Sequence, residues 1–93
     1  MPYYTYMLEC CDKTIYVGMT NSIEKRLKKH LDGFYPTCYT FKRRPLKLIW
    51  FEEYKWVHDA IATEKRIKKW SNPKKRAFAE GNTVLFKQLS RGK

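Results

Sequence analysis

The sequence predicts an α+β fold in which a small, three-stranded, mostly antiparallel sheet is flanked by helices. Residues 3–9 and 14–19 are short apolar-rich runs, and the polar connection between them has the length that a β-hairpin uses. Residues 46–54 form a third such run, and much of the remaining chain has helical periodicity. Because 93 residues are too few for two separate cores, we expect residues 1–93 to form a single domain.

The first helix follows the predicted hairpin. Asn21 is its expected N-cap, because Glu24 three residues later completes a capping box, and Gly33 is expected to end the helix. At 100° per residue, one face of this helix is apolar and consists of Ile23, Leu27, His30 and Leu31. Arg26 lies at the edge of that face, one turn before His30.

Two further helices are predicted near the end of the chain. Residues 71–73 are expected to cap a helix that has Pro73 in its first turn and that ends at Gly81. A final short helix begins after Asn82. The residues expected to dock this helix on the rest of the domain are Val84, Leu85 and Leu89.

The charge balance points to a polyanionic partner. The chain has 20 lysines and arginines against 9 aspartates and glutamates, which gives a formal net charge of +11. Nucleic acid is favoured over a membrane because no apolar run approaches the roughly 20 residues of a membrane span. The N-terminus has no secretion signal, so we expect an intracellular, cytoplasmic protein. Three cysteines fit neither a disulfide framework nor paired zinc ligands, and we expect reduced thiols.

Four residues that can take part in catalysis occur at a distinctive spacing. Tyr6 and Tyr16 lie ten residues apart on the two strands of the predicted hairpin, and Arg26 follows ten residues later. His30 is four residues beyond Arg26 and therefore shares its helix face. Adjacent elements thus carry two phenols, a cation and an imidazole.

These residues resemble the motifs of the GIY-YIG nuclease superfamily, which includes an excision-repair nuclease and some intron-homing endonucleases. The two tripeptides read Tyr4-Thr5-Tyr6 and Tyr16-Val17-Gly18, and a helix with Arg26 follows them. The small stand-alone (YhbQ-like) branch of the superfamily is similar in three further motifs, which here read Tyr39-Thr40, Arg43-Arg44-Pro45 and Glu64-Lys65-Arg66-Ile67-Lys68. The likeness extends from Tyr3 to about Leu89.

The resemblance implies a GIY-YIG endonuclease-like fold and a phosphodiester-hydrolysing activity. It also implies that the catalytic residues are Tyr6, Tyr16, Arg26, His30 and Glu64, and that Glu64 is a metal ligand. Many nucleases of the superfamily carry an asparagine soon after the helix with the glutamate, and in this chain Arg76 stands near that place. Asn72 and Asn82 are the nearest asparagines, and neither is assigned a role.

The position of Glu64 also favours a metal on physical grounds. The second helix is predicted at about residues 57–70, and its buried side consists of Val57, Ala60, Ile61 and Ile67. Glu64 projects from the middle of that side, where an unpaired carboxylate is costly. A salt bridge to Lys68 would contribute only about 0.3–0.5 kcal/mol. A single carboxylate suits Mg²⁺ (or Mn²⁺), because Mg²⁺ keeps several waters and is often completed by substrate phosphates.

Hydrolysis also needs a base that activates water, and three candidates remain open: Tyr6, Tyr16 and His30. A tyrosine with a pKa near 10 is a poor base at pH 7 unless nearby cations lower its pKa. Arg26, a bound metal and the net charge would all act in that direction. His30 has a suitable pKa and is either the base or a group that orients a tyrosine. Arg26 would neutralise charge on the phosphate oxygens.

Two segments are expected to bind the nucleic acid. Residues 34–45 form an aromatic and basic loop, and residues 65–76 contain seven basic residues and no acidic one. Tyr39, Phe41 and Trp70 offer stacking surfaces for unpaired bases. The expected contacts are Tyr39, Thr40, Lys42, Arg43, Arg44, Lys65, Lys68, Lys69, Lys74 and Lys75.

The resulting hypothesis is a metal-dependent endonuclease that cuts DNA, at single-stranded, branched or damaged structures, with little sequence specificity. One alternative is a catalytically weak DNA- or RNA-binding module that retains the nuclease fold. Another is an RNA-binding or ribosome-associated protein. The sequence leaves the substrate structure, the oligomeric state and the pathway open.

Overall fold

The computed structural model describes residues 1–34, 36 and 38–91 and confirms the predicted α+β fold. The elements follow in the order β1 (Tyr3–Glu9), β2 (Ile15–Thr20), α1 (Ile23–Leu31), β3 (Lys47–Tyr54), α2 (Val57–Lys68), α3 (Asn72–Glu80) and α4 (Thr83–Arg91). A turn of 3₁₀-helix, Phe41–Arg43, lies between α1 and β3. Residues 35 and 37 of the predicted loop, and the last two residues of the chain, lie outside the described residues. Within the described ranges, no helix is long and apolar enough to cross a membrane.

The sheet has the strand order β2-β1-β3, and both pairings are antiparallel. β1 is the central strand, so each of its residues has a neighbour on both sides. Tyr6 lies opposite Gly18 of β2 and opposite Phe51 of β3. In this register the two tripeptides of the sequence motif meet at one pair of residues, Tyr6 and Gly18.

Helices cover both faces of the sheet. Successive residues of β1 point to opposite faces, and both faces are apolar because both are covered. On one face Tyr6 and Leu8 pack with Leu27 of α1. On the other face Met7 packs with Ile67 of α2. The side chain of Tyr16 also lies on the α1 face of the sheet.

The ends of the helices agree with the prediction, with Gly33 at φ 72° just after α1, except at the start of α1. Ser71 caps α3 by accepting a hydrogen bond from the Lys74 N–H, and Gly81 ends that helix in the left-handed conformation at φ 74°. The prediction of Asn21 as the α1 cap is wrong. Ser22 is the cap, because it has the extended backbone of an N-cap and its hydroxyl accepts from the Lys25 N–H at 3.4 Å.

Three predicted core positions are exposed instead. Leu31 is 42% exposed at the last position of α1. Val84 and Leu85 are 68% and 37% exposed, so the predicted docking of α4 through these residues is wrong. α4 docks through Phe86, whose ring centroid lies 5.1 Å from that of Trp70. Phe86 and the partly buried Leu89 lie three residues apart and therefore share the docked face.

Candidate active site and nucleic-acid groove

A buried chain of hydrogen bonds joins β1 to α1 and to the turn before β3. The Tyr6 hydroxyl lies 3.0 Å from His30 Nε2, and His30 Nδ1 lies 2.9 Å from Thr40 Oγ1. Thr40 donates its single hydroxyl proton to Cys38 Sγ at 3.4 Å. Thr40 therefore accepts from His30 Nδ1–H, and His30 Nε2 accepts the proton of the Tyr6 hydroxyl.

The environment of His30 keeps its ring neutral. Burial, and then the positive charge of Arg26, lower the pKa of His30 from 6.5 to about 4. The neutral ring has one N–H donor and one acceptor nitrogen, which is what the bonds to Thr40 and Tyr6 require. At pH 7 His30 is therefore an uncharged link between the two hydroxyls.

Gly18 makes room for the Tyr6 hydroxyl. A Cβ atom at position 18 would lie 2.5 Å from Tyr6 Oη and 2.6 Å from Cζ of the same ring. The two residues face each other across β1 and β2, so no other strand residue fits without displacing the phenol. The sequence prediction missed this role, although a glycine inside a strand often marks a close approach.

Tyr16 lies beside this hydrogen-bonded chain on the same face of the sheet. The centroid of its ring lies 5.2 Å from that of His30 and 6.3 Å from that of Tyr6. Burial, together with Tyr6 and Cys38, raises the pKa of Tyr16 well above 10, and the opposing effect of Arg26 is smaller. The predicted lowering of this pKa by the protein's own charges is therefore wrong, because desolvation outweighs the effect of Arg26.

Cys38 receives several hydrogen bonds at this site. Its burial raises the pKa of the thiol, but hydrogen bonds from Thr40, Tyr16 and the Tyr39 backbone outweigh burial and lower the pKa. The sequence prediction gave Cys38 no function. Its sulfur accepts from the hydroxyls of both Thr40 and Tyr16 and so joins the two parts of the site.

Arg26 is half-buried on α1 and acts electrostatically on both aromatic groups. It lines a small apolar cavity with Tyr6 and with Leu27, one residue further along α1. Its charge lowers the pKa of His30 and opposes the rise in the pKa of Tyr16. The structure therefore brings together four of the predicted catalytic residues, which are Tyr6, Tyr16, Arg26 and His30.

Glu64 lies at the edge of the buried face of α2, and Lys68 is its partner. Lys68 Nζ lies 2.9 Å from Glu64 Oε2, and the lysine and glutamate side chains are 53% and 19% exposed, respectively. Glu64 is thus partly buried, next to the buried Thr63 and Ile67. Among the described residues, no group of three or more histidines, cysteines and carboxylates could hold a metal.

A surface groove of about 430 Å³ connects the Tyr16 side of the site to α2 and α3. Tyr16 and Tyr39 have stacked rings on one side of it, with centroids 6.5 Å apart. Lys68 also lines the groove, and its ion pair with Glu64 connects the carboxylate to the groove. Other lining residues include Trp70, Asn72 and Lys75.

The basic residues of the loop differ in how accessible their side chains are to a ligand. Lys42 is exposed. Arg43 stacks over the Tyr39 ring at 3.8 Å and bonds to Asp12 at 3.0 Å. Arg44 stacks over the Phe41 ring and donates to its backbone oxygen. The two arginines therefore hold the loop in shape.

Two of the predicted nucleic-acid contacts are buried. Thr40 is almost completely buried against His30, so its prediction as a direct contact is wrong. Lys75 lines the groove, but its buried amine donates to the Ile15 oxygen at 3.4 Å. Burial, and then the charge of Lys68, lower the pKa of Lys75. Of the remaining predicted contacts, Lys65 and Lys69 are exposed and Lys74 lies over the rings of Trp70 and Phe86.

The residues near the expected asparagine make structural contacts. Asn72 accepts a hydrogen bond from the Ile15 N–H at 3.0 Å and so ties the start of α3 to β2. Asn82 accepts from the Leu85 N–H at the start of α4. Arg76 pairs with Glu9 and donates to the Lys13 oxygen. None of these contacts reaches Glu64.

Comparison with known proteins places the chain in a family. A model described as the GIY-YIG catalytic domain matches residues 2–77. A UPF0213 protein of Syntrophus aciditrophicus is 43% identical over 79 residues, which cover 85% of this chain and 91% of the relative. A UPF0213 protein of Clostridium perfringens is 40% identical over 81 residues, with 87% and 86% coverage. The solution NMR structure of a UPF0213 protein from Bacillus halodurans superposes with a TM-score of 0.55 at 32% identity, with 86% of this chain and 84% of that chain covered. The chain therefore belongs to the GIY-YIG family, as its motifs predicted.

Proposed function

We propose that this protein is a divalent-metal-dependent endonuclease that hydrolyses DNA phosphodiester bonds in the cytoplasm. The observation that supports it best is the grouping of Tyr16, Arg26 and the Tyr6–His30 pair beside a groove that also contains Lys68. The match to a catalytic GIY-YIG domain supports a nuclease-type activity. We expect the choice of substrate to be structure-directed or non-specific, as in the processing of branched or damaged DNA. The groove has groups that stack on bases and bind phosphates, and such contacts do not read the base sequence.

Arg26 is the proposed phosphate ligand. Its guanidinium can donate two parallel hydrogen bonds to phosphate oxygens, and its charge stabilises the negative charge that grows on them during hydrolysis. Its half-buried position, near both Tyr16 and His30, strengthens this effect because water screens it less.

The donor set at Glu64 fits a magnesium-like ion. One partly buried carboxylate suits an ion that keeps several waters and takes its other ligands from substrate phosphates. It does not suit zinc, which favours histidine and cysteine. A bound Mg²⁺ or Mn²⁺ would supply positive charge that stabilises the transition state and lowers the pKa of nearby groups.

Tyr16 is the proposed base, because it lines the groove whereas Tyr6 and His30 are buried. In the free protein its raised pKa keeps the phenol protonated. Additional cationic charge at the site is then what makes Tyr16 able to accept a proton from water. Tyr6 and His30 are positioning residues, because their hydrogen bond ties β1 to α1 beside Tyr16.

The alternative is a DNA- or RNA-binding module with weak catalysis. The observation in its favour is that Lys68 already neutralises Glu64. In that case the groove and the exposed lysines bind a phosphate backbone, and the hydrogen-bonded chain around His30 stabilises the fold.

The test is to incubate the purified protein with labelled single-stranded, duplex, flap and RNA substrates, with Mg²⁺, with Mn²⁺ and with chelator. We expect metal-dependent cleavage of DNA. Arg26→Lys should fold normally yet lose about 10²–10³ in rate, because lysine lacks the planar fork. Arg66→Lys is the matched control, since Arg66 is exposed on α2, and its rate should stay within about threefold of the wild type. Absence of cleavage with both metals would favour the binding module.

A further inference from the structure

The ion pair between Glu64 and Lys68 is asymmetric. Glu64 is 19% exposed and is held by the packing of α2, whereas Lys68 is 53% exposed and sits at the end of a flexible side chain. If the pair separates, Lys68 reaches water at little cost, and Glu64 stays where it is. The lysine is therefore the member that can move.

A divalent ion that binds Glu64 would displace Lys68 from the carboxylate. The ammonium now lies 2.9 Å from Glu64 Oε2, and it would repel a second cation on the same carboxylate. In the free protein Lys68 thus competes with a metal for Glu64.

Lys68 also lies in the groove where a phosphate backbone is proposed to bind. It lines this groove with Tyr16, Tyr39 and Trp70, and its charge is felt by the buried Lys75. A phosphate in the groove offers the released ammonium a second anion. Its gain there offsets the loss of the bond to Glu64.

We propose that Lys68 exchanges between Glu64 in the free protein and a substrate phosphate in the complex, so that nucleic acid and divalent metal promote each other's binding. This inference rests on the proposed metal site at Glu64. By linkage the effect is reciprocal: the factor by which metal tightens nucleic-acid binding equals the factor by which nucleic acid tightens metal binding. Lys68 thereby weakens metal binding at Glu64 as long as no substrate phosphate is present.

The first experiment measures Mn²⁺ binding to the protein alone by calorimetry. Lys68→Gln should bind Mn²⁺ about five- to tenfold more tightly than the wild type, because the competing ammonium is gone. Lys55→Gln is the matched control, since it removes an exposed lysine outside the groove, and its affinity should change less than twofold. Equal affinities for Lys68→Gln and Lys55→Gln would overturn the exchange.

The second experiment measures binding of a phosphorothioate oligonucleotide, whose backbone resists hydrolysis, with Mn²⁺ and with chelator. The gain in affinity from Mn²⁺ should be about fivefold larger in the wild type and in Lys55→Gln than in Lys68→Gln. Equal gains in all three proteins would overturn the exchange. Glu64→Gln tests the metal site separately from the exchange. If this variant binds Mn²⁺ as well as the wild type does, the proposed metal site itself is wrong, and the exchange with it.

Discussion

The Tyr6 hydroxyl occupies the space that a side chain at Gly18 would need. The two residues are paired across β1 and β2, and a Cβ at position 18 would lie 2.5 Å from Tyr6 Oη. The same hydroxyl is bonded to His30 Nε2 at 3.0 Å. The glycine of the second tripeptide therefore sets the position of the tyrosine of the first and, through it, the state of the buried histidine.

Gly18→Ala should destabilise the protein by about 1–3 kcal/mol, because the added methyl overpacks the sheet and pushes the Tyr6 ring from its site. Loss of the bond to Tyr6, and entry of water, should also move the pKa of His30 back toward its ordinary value. Urea denaturation measures the first effect, and an NMR titration of His30 measures the second. A variant with wild-type stability and an unchanged His30 titration would show that the contact is not required.

Stability should fall in acid because of His30. Its pKa is about 4 in the folded protein and about 6.5 when unfolded, so the unfolded chain binds more protons between these values. The contribution of neutral His30 is therefore complete above about pH 6.5 and is lost as the pH falls toward 4. One pKa unit corresponds to about 1.4 kcal/mol, so the loss amounts to about 3 kcal/mol.

The measurement is urea denaturation of the wild type and of His30→Gln at pH 7 and at pH 4.5. The variant lacks the titrating ring, so its stability should fall by less than that of the wild type. Carboxylates such as Glu9 and Asp12, whose pKa values are lowered by hydrogen bonds to Arg76 and Thr14, respectively, titrate in both proteins and cancel in the comparison. Equal losses in the two proteins would contradict a buried neutral His30.

Periodicity predicted the local parts of this site and the family motifs predicted its catalytic residues, whereas the contacts that depend on burial were not predictable from the sequence. The hairpin and α1 follow from turn residues and periodicity, which act over a few residues. Asn21 and Ser22 are adjacent and both suit an N-cap, so only the backbone geometry decides between them.

The remaining differences between the sequence prediction and the structure result from burial. Thr40 looks like a polar loop residue, and its bond to His30 spans ten residues without a periodic signal. The direction of the Tyr16 pKa shift depends on how far α1 and the turn containing Cys38 exclude water from the phenol. The pattern of charges in the sequence shows the cations but not the desolvation that outweighs them.

The pH dependence of cleavage should identify the base. If Tyr16 accepts the proton, the rate should rise with pH from 6 to 9, by up to about tenfold per pH unit, because its pKa lies above this range in the free protein. If His30 is the base, the rate should be flat, because a group with a pKa of about 4 is already neutral at pH 6. Tyr16→Phe should remove the rise if the phenol, rather than a metal-bound water, causes it.

Nucleic-acid binding should weaken steeply with salt. Contact with about five phosphates gives a slope of about −4 for log affinity against log salt concentration. Replacing the exposed Lys65 and Lys69 by glutamine should reduce the magnitude of this slope by about 1–2, because both flank Lys68 in the chain. The same change at the exposed Lys55 and Lys87 is the matched control and should alter the slope by less than about 0.5. If the two double replacements changed the salt slope equally, the groove would be ruled out as the binding surface.

Arg43 and Arg44 are unsuitable for this test, although the sequence predicted both as phosphate contacts. Arg43 holds Asp12 and the Tyr39 oxygen, and Arg44 donates to the Phe41 oxygen. Their replacement should loosen the loop, so a loss of affinity would combine lost charge with lost structure. A lower melting temperature of Arg43→Gln than of Lys42→Gln would demonstrate this difference.

Glu64→Gln distinguishes a metal ligand from a structural ion pair. Lys68 is 53% exposed, so loss of its partner returns it to water, and the free energy of unfolding should change by less than about 0.5 kcal/mol. Cleavage should be abolished because a neutral amide is a poor ligand for a divalent ion, while nucleic-acid binding should remain. The measurements are melting curves and one cleavage assay.

Magnesium makes the comparison decisive, because a ligand that binds only the folded state raises the melting temperature. Mg²⁺ should therefore stabilise the wild type and leave Glu64→Gln unaffected. Glu80→Gln, a change at an exposed glutamate of α3, should behave as the wild type does. A structural pair predicts instead that Mg²⁺ changes the melting temperature of neither protein and that Glu64→Gln cleaves in proportion to its folded fraction. An active Glu64→Gln would therefore refute both the metal site and the mechanism built on it.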